Sequence, residues 1–184
     1  MSSLSADPQV LFVSEEKIKS FTTMNWNISP DEFVPYVYNA QNIYVSEYIG
    51  GSYYEDLKTK IANDTLTIAD INLLDGYLGV VVLNWALYMA LPFLQYKIYN
   101  KGVLSDNSEN STNVSLKELN YLREEVKSIA QNYTRRMQQF IQQRLDSYPL
   151  YASPDTSDGQ LPSKGNPYDS GIVTFGNRIN CYGR

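Results

Sequence analysis

The run Tyr77 to Leu94, YLGVVVLNWALYMALPFL, limits what this chain can fold into more than any other segment. Eighteen residues without a charge just reach the length of a bilayer-spanning helix. They also suit the central helix of a compact bundle, apolar on every side because neighbours cover every side. Asn84 in the middle, Pro92 near the end and the lack of a Lys/Arg cluster on either flank favour the buried core helix. Gly79 and Ala86 are small enough to let neighbours approach. A membrane-associated helix over 77–94 is the alternative reading.

The segments around this run carry helix signals. Ser14-Glu15-Glu16-Lys17 offers a cap and acids for the first turn of a short helix that ends before Asn25. Ser29-Pro30-Asp31-Glu32 is a stronger start, with Ser29 as cap and Pro30 at the first helical position, and the helix should reach Ile49. Its apolar stripe is Phe33, Val37, Ala40, Tyr44 and Tyr48, and Gly50-Gly51 supplies a left-handed stop. A third helix is expected from Ser52 to about Asn63, and Thr67 should cap the central one. Pro92 should kink or end that helix, after which 93–99 permits a last helical turn or a short strand.

The residues from Gly102 to Val114 are mostly polar and suggest an exposed loop. Ser115 with Glu118 forms a capping-box pattern, and apolar positions from Leu116 to Tyr148 then recur at three and four up to a stop at Pro149. That predicts a helix of roughly 33 residues, about 50 Å at 1.5 Å per residue, which is more than one small domain needs for its own core. Arg123, Arg135, Arg136, Gln138, Gln139, Gln142 and Arg144 are assigned to its exposed half. Beyond Leu150 the composition turns to Pro, Gly, Ser and Asp, with one glycine-bounded, strand-like run, Ile172-Val173-Thr174-Phe175. Such a run cannot fold alone, so it is either disordered or pairs with an exposed edge elsewhere, as in strand addition to a partner, and the second option suits an assembly subunit. The expected fold is therefore mainly α: a bundle of four to five helices with one long C-terminal helix. An N-terminal arm (1–13), a helical domain (14–149, with a polar loop at 102–114) and an extended C-terminal arm (150–184) make up the chain.

The residues available for chemistry are few. There is no histidine and one cysteine, Cys181, which removes His-based catalytic triads, imidazole ligation and intrachain disulfides. No phosphate loop, dinucleotide fingerprint or metal-spaced cluster occurs, and Asp70 and Asp75 lie about 140° apart on a helix, so they do not pair. No catalytic, cofactor or metal site is expected. A formal charge of −5 gives no basic footprint for gripping nucleic acid. Sixteen tyrosines, against six Phe and two Trp, suit surfaces that must live both in water and against a partner. The polar stretch Met1 to Pro8 lacks the pattern of a secretory signal, so a cytoplasmic origin is expected.

The block Ala90-Leu91-Pro92-Phe93-Leu94, then Lys97-Ile98 and Lys101-Gly102-Val103, the Asp106-Asn107-Ser108 loop and Ser115 to Arg123 together resemble head-tail connector adaptors of tailed phages of gut Bacteroidales. The ring proteins of crAss-like phages are the nearest comparison, over roughly residues 10–175. The resemblance implies a virion protein of the phage neck, made in the bacterial cytoplasm. Copies would form a homo-oligomeric, twelve-fold ring between the portal protein and the next ring or tail protein, passing DNA without binding it specifically and touching no membrane. Interface residues expected on this reading are Arg123, Arg135, Arg136, Gln139 and Arg144 on the long helix, with Tyr168, Ile172, Val173, Phe175 and Arg178 in the arm. A small regulatory protein that dimerises through the last helix is a weaker rival.

Overall fold

The computed structural model describes residues 9–25, 29–99, 102–105, 116–152 and 161–163. It is mainly helical, as expected. Helix α1 is Glu15–Asn25, and the Ser14 hydroxyl accepts from the Lys17 amide at 3.3 Å, so this cap is real. Helix α2 covers 30–49: a regular part, Pro30–Ala40, a π-helical turn, Gln41–Val45, and a last turn, Ser46–Ile49. Ser29 makes no side-chain cap bond; its carbonyl accepts from the Glu32 amide at 3.1 Å instead. The wide turn changes which face is buried. Phe33, Val37 and Ala40 are buried as expected, but beyond them Gln41, Val45 and Ile49 continue the buried seam, while Tyr44 and Tyr48 shift to a half-buried flank.

Gly50 ends α2 with φ +83° and ψ 150°, a combination open essentially only to glycine and not the left-handed helical stop that was expected. Helix α3 follows directly as Gly51–Ala62. A Cβ on Gly50 would also lie 2.8 Å from Cδ of Pro162. Gly50→Ala is therefore expected to cost about 2 kcal/mol of stability from backbone strain. It should also release residues 161–163 from their seat, read out as a lower Tm and faster amide exchange at Ser163.

Helix α4 covers 68–95, again in three parts: Ile68–Leu73, a π turn at Leu74–Leu78, and Gly79–Gln95. Its start is a full capping box, with the Asp70 amide donating to the Thr67 hydroxyl at 3.2 Å and the Thr67 amide donating to the Asp70 carboxylate at 3.1 Å. The helix runs through Pro92 and ends a turn later at Gln95. Val81, Val82, Trp85, Ala86, Ala90 and Leu91 are all buried, because α2 and α5 pack along it and α1 touches its start. Asn84 satisfies its amide within the helix, donating to the Val80 carbonyl at 2.8 Å.

Residues 93–99, left open by the sequence, divide: 93–95 finish α4, and Tyr96–Tyr99 form strand β1, which pairs antiparallel with β2, Gly102–Ser105. The expected polar loop at 102–114 is thus wrong at its start. Tyr99 pairs with Gly102 and the pairing extends to Ser105, so the polar run only begins after it. Residues 106–115, Ser115 included, lie outside the described residues.

Helix α5 is Leu116–Gln142, 27 residues or about 40 Å, shorter than the 33 expected. Pro149 is not its stop. The chain leaves the helix at Gln143, makes a 3-10 turn at Leu145–Ser147, and Pro149 opens a one-turn helix α6, Pro149–Ala152. The bend has a packing reason: it buries Tyr148, whose hydroxyl donates to the Ala69 carbonyl at 3.0 Å, and Tyr151. Leu150 to Ala152 therefore belong to the body, not to an arm.

Residues assigned to the two arms also join the body. Phe12 and Val13 are core residues. Gln41, fully buried in the π turn, accepts from the Phe12 amide and donates to the Val10 carbonyl, both at 2.8 Å, tying down the incoming chain as a strand partner would. At the other end, Pro162 is buried against Gly50. The Ser163 amide donates to the Glu47 carbonyl at 2.9 Å and its carbonyl accepts from Gln138 at 2.5 Å. Residues 161–163 are thus seated across the seam between the end of α2 and one flank of α5.

Candidate interaction surface

Helix α5 has three faces. One, Leu119, Val126, Ala130, Thr134, Met137 and Ile141, is buried on α4, and Trp85 Nε1 donates across that contact to the Thr134 hydroxyl at 3.0 Å. A second flank carries Gln138 and holds Ser163. The third flank is bare among the described residues. Leu122 (38 % exposed), Ile129 (45 %) and Tyr133 (37 %) align there at spacings of seven and four, with Arg136 following and Phe140 at the end. Half-exposed aliphatic and aromatic side chains thus line up on a helix already packed on two other sides.

The expected interface residues divide on this surface. Arg135, Arg136 and Gln139 are exposed on the outer side of α5. Arg136 lies over the Tyr133 ring at 5.9 Å, and Arg135 bonds to Asn132 within its own helix. Arg144 sits past the helix end, its guanidinium 4.2 Å from the Phe140 ring centroid. Arg123 is a correction: it turns inward, 4.4 Å over the ring of Tyr88 on α4, because its position falls on the packed side of the helix. Gln138 likewise is buried and occupied, not part of an exposed half. Tyr168, Ile172, Val173, Phe175 and Arg178 lie outside the described residues.

From Ser128 to Arg144, α5 and the turn after it hold three arginines and no acid. Among the described residues no arginine joins an ion pair with a carboxylate; the pairs present use lysines, such as Lys17 with Asp75 at 2.6 Å. Sequence reasoning missed the apolar row itself. Leu122, Ile129 and Tyr133 belong to the same apolar series as the core positions of the helix; only their offset from Val126, Ala130 and Met137 separates them.

An open groove of about 550 Å³ continues this flank, lined by Ile68, Ala69, Asn72, Tyr77, Phe140, Arg144, Ser147 and Tyr148. Tyr77 and Phe140 stack on its floor with centroids 4.1 Å apart. Beneath it Asp70 is buried with the Tyr53 hydroxyl at 3.1 Å and Lys60 at 3.1 Å, and Lys60 also meets Asp56 at 2.7 Å. Burial pushes the Tyr53 hydroxyl far up, and the Asp70 charge beside it pushes the same way, so Tyr53 stays a protonated donor. Asp75, by contrast, is exposed on Lys17, which keeps the two aspartates apart. Among the described residues no group of three His, Cys, Asp or Glu could hold a metal ion.

The fold and this surface define a mainly α bundle with one exposed apolar helix flank and with residues 161–163 seated between α2 and α5. Residues 41–160 match the model of a family of unknown function, DUF6712, and the protein belongs to that family. No curated protein and no solved structure matches the chain.

Proposed function

We propose that this protein is a structural assembly subunit that forms a homo-oligomeric ring, and that the ring is a head-tail connector between a phage portal protein and the next ring or tail component. The observation that carries the assembly part is the bare row Leu122, Ile129 and Tyr133 on α5, continued by Arg136 and Phe140. The connector part rests on the resemblance of 90–123 to phage adaptors. The acidic balance of the chain suits a conduit that lets DNA pass without holding it.

The helix over 68–94 is long and apolar enough to cross a membrane, yet α2 and α5 occupy its sides, which supports reading it as a core helix. Size-exclusion chromatography with light scattering, in a concentration series without detergent, tests both points. Mass is expected to rise above the monomer with concentration, and Leu122→Asp with Ile129→Asp should hold the chain monomeric with unchanged helical circular dichroism. A wild-type chain that stays monomeric throughout would overturn the assembly reading. A chain that dissolves only with detergent would favour membrane association.

A further inference from the structure

The bare flank of α5 carries charge beside its apolar row. Leu122, Ile129 and Tyr133 fall within about 40° of arc around the helix, at about 100° per residue. Glu118, Glu125 and Arg136 stand together on one border of that row, within about 20° of one another. All six are exposed. Along the axis the border is divided: both acids lie in the N-terminal half of α5 and the arginine in the C-terminal half. Among the described residues neither Glu125 nor Arg136 joins an ion pair.

Such a surface complements itself when turned end for end. A parallel copy would set Glu125 beside Glu125 and Arg136 beside Arg136, whereas an antiparallel copy sets acids against the arginine at both ends of the contact. The register follows from the spacing. With Ile129 on the two-fold axis, Arg136 stands level with Leu122 of the second copy, each seven residues from the axis. Its guanidinium then lies between Glu125, about 4.5 Å along the helix from Leu122, and Glu118, about 6 Å the other way. Ile129 meets its own counterpart, and Leu122 meets Tyr133 within a turn. We infer that the bare α5 flank pairs with the same flank of a second copy, antiparallel about Ile129, with Glu118 and Glu125 of each helix holding Arg136 of the other. This inference rests on the assembly reading and names the occupant of its surface. A two-fold contact closes at two copies, so the free protein is a dimer through α5, and a ring requires that pair to open or a further surface to join pairs.

Charge exchange tests the orientation. Glu125→Arg and Arg136→Glu each set like charges against one another, and each alone should self-associate about tenfold or more weakly than the wild type by light scattering, although their net charges move in opposite directions. The double variant, Glu125→Arg with Arg136→Glu, restores an opposite pair at each end and should recover most of the association. In a parallel pair neither single change would alter the balance, because positions 125 and 136 never meet. Both positions are exposed, and circular dichroism checks that the variants fold. Cross-linking tests the register. In a Cys181→Ser background, which has no other cysteine, Ile129→Cys should form a disulfide with its counterpart on mild oxidation. Leu122→Cys should not, since the two copies of that position stand about 21 Å apart along the helices. Single variants that associate at wild-type strength, a double variant no stronger than the single ones, Leu122→Cys cross-linking as readily as Ile129→Cys, or a wild-type mass that climbs past the dimer would each overturn this contact while leaving the assembly reading intact. A wild-type chain monomeric at every concentration would overturn the assembly reading itself.

Discussion

Asp70→Ala is expected to lower stability by about 3 kcal/mol, a drop of roughly 8 °C in Tm for a chain of this size. Asp70 is 2 % exposed, and its carboxylate accepts from the Thr67 amide, the Thr67 hydroxyl, the Tyr53 hydroxyl and Lys60. Removing it opens the capping box of α4 and leaves Tyr53 and Lys60 without the charge they face. Burial alone would raise its pKa; the two Thr67 bonds and Lys60 outweigh burial and hold it below the ordinary carboxylate value. Because the folded value is the depressed one, the contribution is complete above about pH 4, the unfolded value, and disappears as pH falls through the lower folded value. Thermal melts of wild type and variant should run parallel at neutral pH and converge in acid. A gap unchanged down to pH 2 would show that the loss is one of packing and not of charge.

Trp85→Ala should cost about 4 kcal/mol, the range for truncating a buried aromatic. Trp85 joins three helices: it stacks on Tyr44 of α2 at 4.0 Å, meets Tyr88 of α4 edge-on at 5.7 Å, and bonds Thr134 of α5. Trp85→Phe separates the contributions. It keeps the stack and loses the indole donor, while the Thr134 hydroxyl still donates to the Ala130 carbonyl at 2.8 Å, so about 1–2 kcal/mol should go. Urea unfolding followed by circular dichroism measures both. Equal losses in the two variants would mean that the hydrogen bond and not the stack joins the helices.

The helices were legible because their signals are local. Thr67 with Asp70, Pro30 at a first turn and the uncharged run from Tyr77 each act through neighbours within one or two turns. What escaped depends on residues distant in sequence. The bend before Pro149 exists so that Tyr148 can reach Ala69, seventy-nine positions away, and nothing near Pro149 announces it. Gln41 looked like one of the polar positions off the apolar stripe, yet it is buried because Val10 and Phe12 come to it. The same limit applies to the interface. Arg123 and Arg136 are alike in sequence, but Tyr88 claims the first for the interior and leaves the second outside.

The π turns at Gln41–Val45 and Leu74–Leu78 each hold one residue more than a regular helix would spend on the same rise. Each therefore marks a place where the chain length and the packing register come apart. A relative that closes either turn as ordinary helix would need one residue fewer there to keep the same core partners downstream. Aligned against this chain, it would carry a single-residue gap inside a helix, where gaps are otherwise rare. Deleting one residue within 41–45 here would therefore be absorbed locally: the π turn would close to ordinary helix, and the residues after it would keep their core partners.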